Sequence, residues 1–414
     1  MATLGIESEI GVLKRLVLHT PGPEIEAMTP AEAEQDLYND IIPLGAVRKE
    51  YDRLHAFLDL VTKTYELVDL LTETLADAGD RFDFLSDVAR HCPIRSRLDK
   101  LMALKPADLA RLMIRGIPAP EGSLSSILKT HSFSSRPLPN AYFMRDSAAI
   151  IGDCLMSAAT AYDVRLVESI ITRFIFTRHP DFKARAMIFD GPAERNRYVT
   201  AEGGDILVLG PRTMAIGVSE RTTPAAVETI ARNTARLKGE SITVFAVELP
   251  RERATIHLDM VFTMIDRDAA LVYAPIIQGE LRKRVIRIDA DPEGRLVHSE
   301  AASLLEGLKD SGLDLEPVAC GGGMPLYQER EQWLSGSNSF AFAPGKILTY
   351  SCNSRTLDAL DSAGFSVVPA GEFISGNADA TSYKRLAVSF DGIELARGGG
   401  GARCMTLPVE REPL

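Results

Sequence analysis

Residues 206–247 read ILVLGPRTMAIGVSERTTPAAVETIARNTARLKGESITVFAV. The apolar runs 206–209 and 214–218 predict two strands, 224–237 predicts a helix, and 242–247 predicts a third strand. The same alternation extends outward. Strands are predicted at 15–19, closed by Pro21-Gly22-Pro23, and at 148–151, 260–265, 285–288, 347–350 and 365–368. Helices are predicted at 161–177 and 299–309. A further helix at 46–61 places Val47, Tyr51, Leu54, Leu58 and Val61 on one face. This is the pattern of an α/β protein. Between residues 71 and 130 it is interrupted by helix-like sequence, with breaks near Gly79, Pro93, Pro106 and Pro118-Ala119-Pro120. The expected organisation is an α/β domain from 1–70 and 136–414, carrying a helical insertion at 71–135.

The 414 residues are 45% hydrophobic and 25% charged, which is ordinary globular composition with enough length for a large core. A net charge of -11 speaks against a nucleic-acid partner. No apolar run is long enough to span a bilayer. The first residues, MATLGIESEIG, lack the basic-then-apolar pattern of a signal peptide. A soluble cytoplasmic protein is expected. The cysteines at 92, 154, 320, 352 and 404 are scattered and never form a C-x-x-C pair, which argues against a disulfide framework or a structural zinc site.

Five islands pair polar residues with glycine or with short apolar runs. Asn140-Ala141-Tyr142-Phe143-Met144-Arg145-Asp146 ends in an Arg-Asp pair that, alone, reads as a surface ion pair. Glu202-Gly203-Gly204-Asp205 places two carboxylates about a Gly-Gly turn, which alone reads as a solvated loop. Ser219-Glu220-Arg221-Thr222 offers an arginine past a strand end, suited either to clamping a carboxylate or to solvent. In Ile256-His257-Leu258-Asp259-Met260, an extended backbone points His257 and Asp259 to the same side. Imidazole suits proton transfer near neutrality. The run Gly398-Gly399-Gly400-Gly401-Ala402-Arg403-Cys404 carries a thiol on a backbone able to approach a ligand closely. Metal binding is the rival use of His257, Asp259, Glu202 and Cys404. That mixture matches no common zinc set, so no metal is expected.

In this order the islands resemble arginine deiminase, of the guanidino-group-modifying (pentein) superfamily. The resemblance also draws on Ile6-Glu7-Ser8-Glu9-Ile10-Gly11, His19-Thr20-Pro21-Gly22, Cys320-Gly321-Gly322-Gly323, Arg330-Glu331-Gln332-Trp333, Gly336-Ser337-Asn338 and Arg403-Cys404-Met405. Each motif alone is unspecific; their order across nearly the whole chain is specific.

The resemblance implies a five-bladed, pseudo-fivefold α/β propeller of ββαβ units with a helical insertion. It implies Cys404 as nucleophile on a guanidinium carbon, Asp146 and Asp259 as the grip on the guanidinium nitrogens, His257 as general acid and base, and Glu202 as its holder. Asn140, Arg165 and Arg221 would bind the amino-acid end of L-arginine, with Phe143 on its stem. Gly399 stands where some members carry an arginine on the substrate carboxylate. Thr20 and Met144 also depart from the family pattern. The products would be citrulline and ammonia, without metal or organic cofactor. The alternatives are an arginine dihydrolase giving ornithine, a deiminase of a related guanidino compound, an amidinotransferase, or a non-catalytic arginine sensor. A homo-oligomer, dimer or tetramer, is expected, with no membrane partner. Two acids near a thiol raise its pKa and a bound cation reverses that, so Cys404 is expected to be protonated until substrate binds.

Overall fold

The 206–247 stretch folds as its pattern predicts. Strands Ile206–Gly210 and Thr213–Val218 pair antiparallel, helix Pro224–Lys238 follows, and strand Ile242–Glu248 returns parallel to the second strand. Proline in the helix's first turn costs no hydrogen bond, and Gly239, left-handed at φ +67°, ends it. Ala226, Val227, Ile230, Ala231 and Ala235 form the buried face of that helix. The structure, a computed structural model, describes residues 4–128 and 133–414.

The same connectivity, an antiparallel pair and then a helix and a parallel strand, recurs in four other sheets. One joins Ala148–Ile151, Cys154–Ser157 and Met187–Asp190 around helix Leu166–Arg178. A second joins Phe262–Asp266, Ala269–Val272 and Glu316–Ala319 around helix Leu304–Asp310. A third joins Phe340–Ala343, Lys346–Tyr350 and Leu386–Phe390 around helix Ser354–Ser362, with Ser366–Pro369 at its edge. The last draws on both ends of the chain. Leu407–Arg411 pairs antiparallel with Leu13–Leu18, which runs parallel to Lys63–Glu66 after helix Leu44–Val61. The 206–248 sheet is extended by Val285–Ala290 and Leu296–Ala301.

The stretch expected to be helical contains Leu67–Thr74, Ala78–His91, Leu98–Met102, Pro106–Arg115 and Leu124–Leu128. Leu70, Phe84, Leu109 and Met113 of these helices join one buried apolar cluster with Ile150, Leu155, Ile171 and Phe174. The stretch is not helical throughout, because Ile117–Pro118 pairs with Phe133–Ser135. Its expected end at Thr130 lies outside the described residues.

Three sequence expectations need correction. The helix expected at 161–177 begins as an α-helix at Leu166, after a 3-10 turn at Asp163–Arg165. Residues 299–301 belong to strand Leu296–Ala301, and the helix expected from 299 begins at Leu304. Ser303 caps it, its hydroxyl accepting the Glu306 N–H at 3.1 Å. The strand expected at 260–265 begins at Phe262, for a reason that belongs to the site. Among the described residues no helix is long and apolar enough to cross a membrane. All five cysteines are free thiols.

Candidate active site

Each of the five sheets is entered through a short polar segment. Asp146 precedes Ala148–Ile151, Glu202 precedes Ile206–Gly210, and His257 with Asp259 precedes Phe262–Asp266. Asn338 precedes Phe340–Ala343, and Cys404 precedes Leu407–Arg411. The equivalent ends of five sheets therefore supply one group of buried side chains.

Asn338 ties two of these segments together. Its amide oxygen accepts the N–H of Arg403 at 3.0 Å and of Cys404 at 3.1 Å, while its amide nitrogen donates to the Asp259 carbonyl at 3.0 Å. The Cys404 carbonyl accepts the Arg145 N–H at 3.0 Å. Cys404 Sγ then lies 3.8 Å from Asp259 Oδ2. Burial first, then the charges of Asp259 and Asp146, push the thiol well above its ordinary pKa.

His257 sits between two carboxylates. Nε2 is 2.9 Å from Glu202 Oε2, and Nδ1 is 3.5 Å from Asp146 Oδ1. Burial opposes the imidazolium, but Asp146, the Glu202 hydrogen bond and Asp205 outweigh it and raise the pKa to about 9. Burial likewise opposes the charge of Glu202, yet Arg221 and His257 hold it down at about 2. Arg221 Nη1 lies 3.5 Å from Glu202 Oε2, with its guanidinium over the Tyr162 ring. Asp205, which accepts from the Leu258 N–H at 2.9 Å and the Ser219 hydroxyl at 2.6 Å, is raised by burial to about 6.

The two aspartates share one arrangement. Arg165 pairs with Asp146 Oδ2, and Arg403 Nη1 pairs with Asp259 Oδ2 at 2.8 Å. Oδ1 of each is buried without a hydrogen-bond partner. Asp146, His257 and Cys404 line a cavity of about 220 Å³ together with Asn140, Phe143, Arg165, Arg221 and Gly399. Glu202 and Asp259 stand behind His257 and Cys404, wholly buried. Ligand atoms of Asp146, Glu202 and His257 lie within 4.8 Å of one another. Arg165 and Arg221 already neutralise the two acids, so this cluster needs no metal to balance its charge.

Comparison with known proteins fits this geometry. A family model described as arginine deiminase matches residues 35–411. An arginine deiminase of Lactococcus lactis is 34% identical over 432 aligned positions, covering 99% of each chain. One from Mycolicibacterium gilvum is 34% identical, covering 100% of this chain and 99% of its own. The chain belongs to the arginine deiminase family. Among solved structures, an amidinotransferase of Microseira wollei superposes with a TM-score of 0.55 at 15% identity, covering 99% of this chain and 98% of its own. That likeness supports the pentein fold.

The sequence-predicted residues of this family member converge on one site, but several do so differently from expectation. His257 and Asp259 do not share a strand. His257 is extended, and Leu258–Met260 forms one 3-10 turn that swings Asp259 beneath Cys404. The Asp205 carboxylate accepting the Leu258 N–H holds that turn, and the strand starts only at Phe262. Arg145 and Asp146 are both buried, and Asp146 pairs with Arg165 instead of its neighbour. Arg165 also meets Glu168 through Nε at 3.0 Å and Nη2 at 2.7 Å, and donates to the carbonyls of Asn140 and Phe143. Little of its guanidinium is left for a ligand.

Residues without a predicted role complete the site. Arg403 bridges Asp259 to Glu9, 3.0 Å from its Nε, and donates to the Ile206 carbonyl. Asn338, Glu9 and Arg403 fall within quoted motifs, which signalled them without saying what they do. Glu168 closes the R-x-x-E pattern that begins at Arg165, whereas Arg253 reads in the sequence as an ordinary charged residue.

Proposed function

We propose that the chain hydrolyses the guanidinium of L-arginine to L-citrulline and ammonia. The observation that carries this reading is the pair of buried carboxylate oxygens that make no hydrogen bond, Asp146 Oδ1, which faces the His257 imidazole at 3.5 Å, and Asp259 Oδ1, beside the Cys404 thiol. A guanidinium is planar, permanently cationic and rich in N–H donors, which suits two buried carboxylates offering one acceptor each. Held so, its central carbon faces Cys404, which lowers the entropic part of the barrier.

The bound cation offsets the two acids and lets the thiol ionise, its proton passing to solvent. The thiolate adds to the guanidinium carbon, and the imidazolium of His257 gives its proton to the departing nitrogen. The C–N bond breaks, ammonia leaves and a thiouronium remains on Cys404. Neutral His257 then takes a proton from water, the hydroxide adds to the same carbon, and the C–S bond breaks as the adduct's hydroxyl proton passes to the departing sulfur, releasing citrulline and restoring the thiol. Glu202 orients the imidazole throughout. Arg221 and Asn140 meet the amino-acid end and Phe143 packs on the stem, while Arg165 chiefly positions Asp146. No step calls for a cofactor.

The architecture we read with this function is a five-bladed propeller around a central funnel, with the helical insertion at 71–135. The equivalent entry of the polar segments into five sheets supports it. The reading also carries a cytoplasmic homo-oligomer, which light scattering would test.

Cys404→Ala decides the chemistry. Incubated with L-arginine, the wild type should release citrulline and ammonia, and the variant none. Turnover surviving the substitution would remove the nucleophile assignment, and ornithine without citrulline would favour a dihydrolase.

A further inference from the structure

Three arginines line the cavity, and they differ in what balances their charge. Arg165 is paired with Asp146 and Glu168. Arg221 lies near Glu202 and Glu220, at 3.5 and 3.9 Å. Arg253 has neutral partners. Its Nη2 donates to the Arg397 carbonyl at 2.7 Å, its guanidinium lies over the Trp333 ring at 5.0 Å, and its Nε meets the Asn39 amide at 3.1 Å once that amide is turned oxygen-inward. Burial lowers its pKa, opposed only by Tyr142. Among the described residues no carboxylate pairs with it.

Its position is as telling as its charge. Gly399, left-handed at φ +96°, lies against it. A Cβ there would sit 3.4 Å from Arg253 Nη2 and 3.5 Å from Nε. A Cβ at 399 would rest against the guanidinium at van der Waals distance, so a longer side chain there would share this part of the cavity wall with Arg253. The glycine thus leaves room for a cation delivered from another segment, on the loop that leads to Cys404. A half-buried arginine held by a carbonyl and a ring keeps its orientation and retains donors for an anion.

We infer that Arg253 binds the α-carboxylate of the substrate, occupying from the 253–257 segment the place that a side chain at 399 would otherwise fill. This rests on the arginine-hydrolysing reading above and extends it to specificity. Arg253 is assigned no part in the chemical step.

The test compares L-arginine with agmatine, the same guanidino stem without a carboxylate, in wild type, Arg253→Gln and Arg253→Lys. Arg253→Gln should raise KM for L-arginine roughly tenfold to a hundredfold with kcat changed only a few-fold, the loss expected for a charge-assisted contact. The preference for L-arginine over agmatine, as a ratio of kcat/KM, should fall by a similar factor. Arg253→Lys should fall between, because it keeps the charge and loses the fork. Equal losses for both substrates would show a merely structural residue and overturn the inference, as would an unchanged KM. Calorimetry on Cys404→Ala separates this from the function itself. Arginine binding that weakens with Arg253→Gln, in a protein whose wild type forms no citrulline, would sink the function reading and leave Arg253 as a carboxylate site. Citrulline formation with Arg253-independent binding would do the reverse.

Discussion

Cys404 is buried and lies close enough to Asp259 for that charge to add to the effect of burial on its ionisation. Burial and two carboxylates raise the thiol, so unliganded protein should show no thiolate absorbance in an ultraviolet titration through neutral pH, and a bound guanidinium should lower the transition. Thiolate already complete at about pH 6 without ligand would contradict this. His257 titrates in the opposite sense. Raised to about 9, it is the protonated acid that ammonia departure needs, so kcat/KM should fall as pH rises through about 9. The stability it contributes follows the same sign, being full below its ordinary value of 6.5 and lost as pH rises through about 9. Glu202→Gln removes one support of the imidazolium. It should shift the alkaline limb of the pH–rate profile to lower pH, and an unmoved limb would show that Glu202 does not act through His257.

At the scale of elements, the loop between helix Ile393–Arg397 and strand Leu407–Arg411 is held by what its glycines lack. A Cβ on Gly401 would come within 2.6 Å of the Asn338 carbonyl oxygen, and one on Gly400 within 2.5 Å of the Phe143 ring. The run thus serves close packing of the loop against the protein, where its sequence suggested approach to a ligand. Gly401→Ala must displace the loop that aims Cys404. The expected cost is about 1–3 kcal/mol in urea unfolding, with kcat down by roughly a hundredfold as the sulfur leaves its line of attack. Wild-type turnover in this variant would mean that the loop tolerates the shift. Arg403→Met tests the same loop from its buried end. It would strand Glu9 and Asp259 as unpaired buried acids, and should destabilise by roughly 3–5 kcal/mol.

At the scale of the whole molecule, one sheet is built from both terminal stretches of the sequence. Leu407–Arg411 completes the sheet of Leu13–Leu18, and buried Arg411 donates to the carbonyls of Gly11 and Ala341, both at 2.7 Å. Without residues 407–414, Leu16 and Val17 lose their antiparallel partner and Cys404 its anchor. Such a truncation should unfold without a cooperative transition in circular dichroism and release no citrulline. A sharp melt would show that the remaining sheets are stable alone.

The sequence by itself determined the alternation of strands and helices, because a two-residue period and a 3.6-residue period are local properties of the pattern in 206–247. It also carried the groups proposed here to react, since Cys404, His257 and three acids stand in ordered motifs. The short strands Cys154–Ser157 and Ala269–Val272 escaped it, being brief apolar runs that fit helix or strand equally well. What Arg165, Arg253 and Arg403 do was decided only in three dimensions. All three are the same residue type on different segments, and a charge is assigned its work by whichever carboxylate, carbonyl or ring the fold brings beside it.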